Sequence, residues 1–472
     1  MVLLLLSCSL GVTGWEPCTT GSECRDAFGF GYTCGDEGYC EEVALADRCD
    51  ATYPDDLFVR PEDYPGILVV GTLFDHSTDV PEKQASRLAI KQVDDSQGLD
   101  GTLLGLVQCS YEEDSALDGL AADEAAAAMG EYLAGDLGAF AIVGPATSGN
   151  TEAMWNATAD LGALVVSPSA TSPALTYLDA PTTPEGHAGR LWRTAPPDDV
   201  QGLVLAEVVA TTLTESGRTN QDVAVVYQEG PYGTGLAEVF VENYQSSFHV
   251  PTRYAFENDT ERDNAINNVA KLDYDAILFI SSDLPDVSAF LNAAGARDEF
   301  NEMPIFLADA SRDAELLEDT REAASQLWTN ILGTAPAVPS GDVYDAFAAS
   351  YAAEYEGQSA RDSSYSAYAY DAGWLVAYGA AWAYAQEAGV TGQGAADGLL
   401  HISNPDGELI EIAPNYWSQL RAAFSGARDV NVQGASGALD YDPVTQETTG
   451  PIDIWKIASD GQSFEVVETK EP

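Results

Sequence analysis

From residue 67 onward, short apolar runs alternate with helix-length amphipathic stretches. The runs at 67–73, 103–109, 140–143, 164–167, 223–227, 276–280 and 305–308 are strand-length and predominantly apolar, which suits strands buried on both faces. Between them, 82–95, 116–133, 203–213, 235–244 and 287–294 carry apolar residues at helical spacing. Strict alternation of strand and helix predicts parallel βαβ units, so the fold class is α/β, doubly wound. No repeat of solenoid period interrupts it.

The division of this long series is also legible. Arg193-Thr194-Ala195-Pro196-Pro197-Asp198 ends one series with a proline pair, and a new one begins near Leu203. A second crossing is expected at 331–339, followed by helices at 343–355 and 364–388, the latter with an aromatic stripe assigned to the core. Two parallel-sheet lobes follow: 66–195 plus 336–440, and 196–335 plus 441–472. Several crossings between lobes leave a cleft that closes by a hinge. Around 144–173 two apolar runs, 139–143 and 163–166, each end in a hydroxyl-rich turn, with a helix-length segment between them. Ligands of open parallel sheets sit beyond the carboxyl ends of the strands, so this pair of loops is a candidate site for a small polar ligand.

Ahead of the lobes lie 1–17, a Cys-rich module at 18–49, and a proline-rich, acidic linker at 50–65. The start, MVLLLLSCSLG, is similar to the end of a bacterial lipoprotein signal peptide, with Cys8 as the lipidated residue; a chance apolar start is the other reading. The run is too short to span a bilayer. Setting Cys8 aside leaves Cys18, Cys24, Cys34, Cys40, Cys49 and Cys109. Their spacing exceeds that of zinc knuckles, so disulfides are expected, in an oxidising compartment. With an odd number of cysteines in the module one must pair outside it, and Cys49 with Cys109 is the preferred bridge; connectivity within the module stays open.

The ordered set of motifs resembles the type I periplasmic binding proteins, in particular the branched-chain amino-acid group of ABC-transporter substrate-binding lipoproteins. The set comprises Gly98-Leu99-Asp100-Gly101, Gly144-Pro145 with Thr147-Ser148, Ser167-Pro168-Ser169-Ala170-Thr171, YQEGPYGTG at 227–235, and Ala369-Tyr370-Asp371-Ala372. The resemblance implies a lipid-anchored periplasmic or cell-surface protein that delivers an amino-acid-like ligand to an ABC permease. It also implies that Thr147, Ser148, Ser169, Ala170 and Thr171 surround the ligand carboxylate and part of its ammonium, with Tyr232 closing from the second lobe. Asp309 would face the ligand ammonium, and Asp283 is the alternative acid. Ser148, Thr171 and both aspartates also suit helix caps. The acid that the family carries after its second strand is replaced here by Cys109-Ser110, and Ser281-Ser282-Asp283 stands in place of a glycine-rich tyrosine segment. A regulatory or sensory lipoprotein on the same fold, such as a cell-wall synthase activator, is the competing reading.

Catalytic patterns are missing from the sequence. His76, His187, His249 and His401 are far apart, there is no Gly-x-Ser-x-Gly, and Gly233-Thr234-Gly235 falls short of a dinucleotide loop. Asp440-x-Asp442 reads as a turn and not as a calcium loop. No enzyme activity, metal or cofactor is expected.

The formal charge of the 472-residue chain is −56, spread along its length. Such a surface repels nucleic acid and anionic membranes. Self-repulsion of this size is relieved by salt. Denaturant unfolding is therefore expected at a lower midpoint in dilute buffer than in molar NaCl; equal midpoints would rule out charge repulsion as a major cost.

Overall fold

The computed structural model describes residues 17–471 except 115, 180–185, 219, 245–249, 362 and 388. Cys8 and His249 lie outside the described residues. At the N-terminal end, the helix Gly21–Phe28 packs beside an antiparallel hairpin of β1 (Tyr32–Cys34) and β2 (Cys40–Glu42). Disulfides Cys18–Cys34 and Cys24–Cys40 close this module, whose buried core is little more than the cysteines themselves. Crosslinks replace a core that so short a segment cannot build. The sulfurs of Cys18, Cys24 and Cys40 lie within 4.8 Å of one another, but each is bonded to another sulfur and offers no thiolate to a metal. The module docks on the first lobe, where Arg25 Nη1 donates to the Asp136 carbonyl at 3.0 Å and the Tyr132 hydroxyl donates to the Ala44 carbonyl at 2.8 Å.

The first sheet contains β3 (Cys49–Tyr53), β4 (Leu68–Phe74), β5 (Leu104–Ser110), β6 (Ala141–Val143), β7 (Leu164–Ser167) and β8 (Leu191–Arg193). Its order is β3-β5-β4-β6-β7-β8, parallel apart from β3. The stretch expected as a linker thus begins as an edge strand. Cys49 stands in register with Cys109 and is bonded to it, which fixes this strand to the sheet. Too few residues alternate there for a strand pattern to show in sequence.

The second sheet contains β9 (Val223–Gln228), β10 (Thr252–Phe256), β11 (Ala276–Ile280), β12 (Ile305–Leu307) and β13 (Ile331–Pro336), all parallel. A small parallel pair, β14 (Glu408–Glu411) and β15 (Val430–Gln433), belongs to neither large sheet. The chain then returns through β16 (Ile452–Ile457) and β17 (Phe464–Lys470), giving the order β10-β9-β11-β12-β13-β16-β17. Two of these departures from the sequence pattern have clear causes. β10 is an edge strand exposed at its first two positions, so it lacks an apolar run. β13, expected as part of a crossing, is a buried strand, and the crossing follows it. The helix expected at 116–133 starts only at Ala122.

The long helix Ser366–Gln386 is buried nearly all round because it is sandwiched against the first sheet and further helices. Tyr370, Trp374 and Tyr378 are fully buried there, and Trp417 packs against the latter two. The aromatic stripe is core.

Both sheets have a point where the strand order reverses, between β4 and β6 and between β9 and β11. At the first, Gly144 has φ +100°, and a Cβ there would lie 2.3 Å from the Leu73 carbonyl oxygen. Only glycine lets the two strand ends approach so closely. Beneath the gap, Arg193 at the end of β8 is buried and fully engaged. It donates through Nε to Glu447 at 3.1 Å and through Nη1 to the Ser172 carbonyl at 2.7 Å, tying the first crossing to the last. Arg193→Met leaves the Glu447 carboxylate buried without its partner and is expected to cost about 3–5 kcal/mol. Denaturant unfolding of Arg193→Met and of Arg193→Met with Glu447→Gln checks this; a loss below ~1 kcal/mol in the single variant would show that the clamp contributes little.

Candidate functional site

The two reversal points face each other across a cleft of about 640 Å³, lined from both lobes. Each wall is built by the loops that leave the strands at those points. On the first wall, the helix Ser148–Thr158 starts directly after β6, and Thr147 caps it by accepting from the Asn150 N–H at 3.3 Å. The first N–H groups of this helix have no carbonyl one turn back, so its positive end opens toward the cleft. The loop after β7 is sewn to it: the Ser169 hydroxyl donates to the Ala146 carbonyl at 2.9 Å, and the Ser148 hydroxyl accepts from the Ser172 N–H at 3.1 Å.

Thr147, Ser148 and Ser169 line the cleft together with Tyr232, Asp283 and Asp309. Ala170 and Thr171, also expected there, do not line it: both are buried behind the wall. The Ala170 N–H donates to the Ser167 hydroxyl at 3.1 Å and the Thr171 carbonyl accepts from the Asp198 N–H at 2.8 Å, so these two positions shape the loop from behind. The caps differ from expectation as well, since Thr147 and Ser172, not Ser148 and Thr171, accept from the helix N–H groups. Neither Asp283 nor Asp309 makes a side-chain cap bond.

On the second wall, Tyr232 is buried at the start of the helix Pro231–Asn243. Gly233, next to it, could not carry a side chain, since a Cβ would lie 2.1 Å from the Gln228 carbonyl oxygen. The Tyr232 hydroxyl is directed to Asp309 Oδ1 at 2.5 Å, and Gln201 Nε2 donates to the same oxygen at 2.9 Å. Tyr365, from the first lobe, donates to Asp309 Oδ2 at 2.5 Å. Asp309 therefore joins the lobes directly, with acceptor capacity left for one further donor. Burial and the neighbouring Asp309 push the carboxyl of Asp198 far above the usual carboxylate range, which favours its neutral form. Asp283 sits at the rim and accepts from Gln228 Nε2 at 2.7 Å.

Several cleft residues were not foreseen. Tyr365 and Ser363 lie just before the Tyr-Asp-Ala helix, and Asp75, Asp79 and Glu82 follow β4. The strand-end rule that pointed to the loop after β6 applies equally to the loop after β4, which is the signal that could have found them. Glu82 is buried, and Ser363 donates to its carboxylate. Burial, then the charge of Asp79, raise its carboxyl to about 8. Burial likewise raises Asp79 to about 6, opposed by the bond from the Tyr111 hydroxyl at 2.7 Å.

This geometry has relatives. Residues 81–460 match the receptor family ligand binding region. The chain belongs to that family. Its fold is that of the type I periplasmic binding proteins, as the solved structures it resembles show. The branched-chain amino acid transporter substrate binding protein LivJ from Streptococcus pneumoniae, in complex with isoleucine, is 20% identical, with 86% of this chain and 99% of that chain covered and a TM-score of 0.61. The leucine binding protein LivK from Thermotoga maritima is 16% identical over 86% and 99% of the two chains, with a TM-score of 0.63. A solute binding protein from R. palustris in complex with benzoate is 17% identical, covering 86% and 97%, with a TM-score of 0.59. At the sequence level, the chemotactic signal transduction system substrate-binding protein BasB of Halobacterium salinarum is 30% identical over 156 residues, 32% of this chain. The chain matches about a third of the length of that curated relative, 34%.

The raised carboxyl of Glu82 has a signed consequence. Its folded-state value of about 8 lies above the ordinary 4.5, so the folded chain holds a proton that the unfolded chain has lost. Stability from this group is complete below pH 4.5 and falls as pH rises toward 8. Glu82→Gln removes that loss and is expected to be more stable than the parent by about 1–3 kcal/mol at pH 9, with no gain at pH 4. Thermal unfolding of both proteins at the two pH values checks it; equal stability at pH 9 would refute the buried-acid account.

Proposed function

We propose that this protein is an extracytoplasmic solute-binding protein that captures a small polar ligand, an amino acid or related carboxylate or amide, between its lobes. The observation that carries this reading is the cleft itself, where the open helix end and hydroxyls of Thr147, Ser148 and Ser169 face the acidic, aromatic wall of Tyr232, Asp309 and Asp283. A carboxylate suits the first wall, because backbone N–H groups and short hydroxyls hold an anion without a fixed positive charge. An ammonium suits the second, where Asp309 keeps one acceptor site. We divide the chain into lobes at 66–195 plus 336–440 and 196–335 plus 441–472, so that ligand and hinge share the same crossings. Lipid anchoring through Cys8 and delivery to an ABC permease belong to this proposal, as does placement outside the cytoplasm, which suits the disulfides Cys18–Cys34, Cys24–Cys40 and Cys49–Cys109.

A second reading is favoured by the likeness to a chemotactic substrate-binding protein: the loaded protein reports its ligand to a signal transducer instead of a permease. Both readings use the same cleft and differ only in the partner that receives the closed form.

A thermal-shift screen with amino acids, small amides and carboxylates tests the shared part. A ligand at a hundred times its Kd is expected to stabilise the fold by about 2.7 kcal/mol, and Ser148→Ala to weaken that ligand about tenfold. If no compound in these classes shifts the melting temperature, the reading fails. Co-purification of the loaded protein with a permease or with a transducer then separates the two partners.

A further inference from the structure

The cleft contains more negative charge than a zwitterion can match. Nine of its 28 lining residues are acidic, against one arginine, Arg312. That guanidinium is directed to Asp453 at 3.5 Å. Lys83, adjacent to Glu82 in sequence, turns away to pair with Asp50 at 2.6 Å. Of the lining acids without a cationic partner among the described residues, those withdrawn from solvent form two subsites: Asp309 on the second wall, and the pair Asp79 and Glu82 on the first. They flank one turn, whose Tyr365 reaches Asp309 and whose Ser363 reaches Glu82. Asp313 faces the Asp79–Glu82 pair from the opposite lobe and adds to its negative potential. Glu82 is only 5% exposed, and a solvated acidic surface does not explain it.

The proposal rests on the reading of the cleft as an amino-acid site. The carboxylate-binding wall and one acidic subsite would satisfy a neutral amino acid, leaving the second acidic subsite unmatched. We propose that the ligand is an amino acid with a positively charged side chain, whose side-chain cation sits on Asp79 and Glu82 while its α-ammonium meets Asp309. The empty pair meets its electrostatic cost by holding a proton: Glu82 titrates at about 8 and Asp79 at about 6. The charges of Asp75, beside the pair in the loop, and of Asp313, across the cleft, push in that direction, whereas the hydroxyls of Tyr111, Thr78 and Ser363 donate to the two carboxylates and oppose it without cancelling it. His76 nearby is kept uncharged by burial and by Lys83, with a value of about 4. An arriving ammonium or guanidinium takes the place of that proton, so binding releases it and tightens as pH rises from 6 to 8.

Calorimetric titration of the full chain with L-lysine, L-arginine, L-leucine and L-glutamate, in two buffers of different ionisation enthalpy, tests this. Lysine or arginine is expected to bind at least tenfold more tightly than leucine or glutamate, with proton release at pH 7. Glu82→Gln and Asp313→Asn are each expected to weaken the cationic ligand five- to thirtyfold and leave leucine within twofold. Asp313 is exposed at the rim, so its variant keeps the test sound if the buried substitution disturbs folding. Tighter binding of leucine or glutamate would overturn the charge assignment and leave the amino-acid site standing. Binding of lysine without proton release, or without loss in either variant, would remove Asp79 and Glu82 from the subsite. Silence from all four amino acids would overturn both the assignment and the amino-acid reading of the cleft.

Discussion

The carboxylate of Asp309 accepts Tyr232 and Gln201 from its own lobe and Tyr365 from the other, so one buried acid links the two halves at the cleft. Its cost of burial is offset by those donors, each aimed at a charged acceptor and therefore stronger than a neutral hydrogen bond. Below it, Arg193 and Glu447 bind the first and last crossings. The lobes are thus held at the base by an ion pair and at the cleft by a shared acceptor. Any further donor at the last free site on Asp309 would act directly on a contact between the lobes.

The distribution of charge separates two uses of acidity. Over most of the surface the acids are solvated and need no partner. The 20 basic residues are too few to pair with 76 acids, and those near the cleft are committed elsewhere, Lys83 to Asp50 and Arg312 to Asp453. Asp79, Glu82 and Asp309 are different because the protein removes them from water, where an unpaired carboxylate is costly. All three take hydroxyl donors, and burial favours the protonated form of Asp79 and Glu82. The positive end of the helix at Ser148 supplies the opposite sign on the same wall without adding a side-chain charge.

The alternation of strands and helices, the proline-marked crossing near Pro196-Pro197, and the hydroxyl loops after β6 and β7 were all legible along the chain, because each is a local pattern of period, turn chemistry or capping. Thr147 and Ser148 could be placed beside the cleft because they close the short turn that follows the apolar run 139–143. Tyr365 could not, since its partner Asp309 lies 56 residues away and on the other lobe. Glu82 looked like any acid in a helical first turn, and only packing against Ser363, 281 residues later, shows that it is buried. Ala170 and Thr171 were misplaced for the converse reason: adjacency to Ser169 in sequence does not say which side of a loop faces the gap.

The sequence by itself determined the α/β class, the two-lobed division and the first wall of the cleft, since apolar periodicity and cap residues act over a few positions. The tertiary structure alone decided that Cys49 to Tyr53 joins the first sheet, that Tyr232 serves Asp309, and that Asp79 and Glu82 share a water-poor corner. Those outcomes depend on which groups lose solvent together. That depends on how distant segments pack, and no local pattern encodes it.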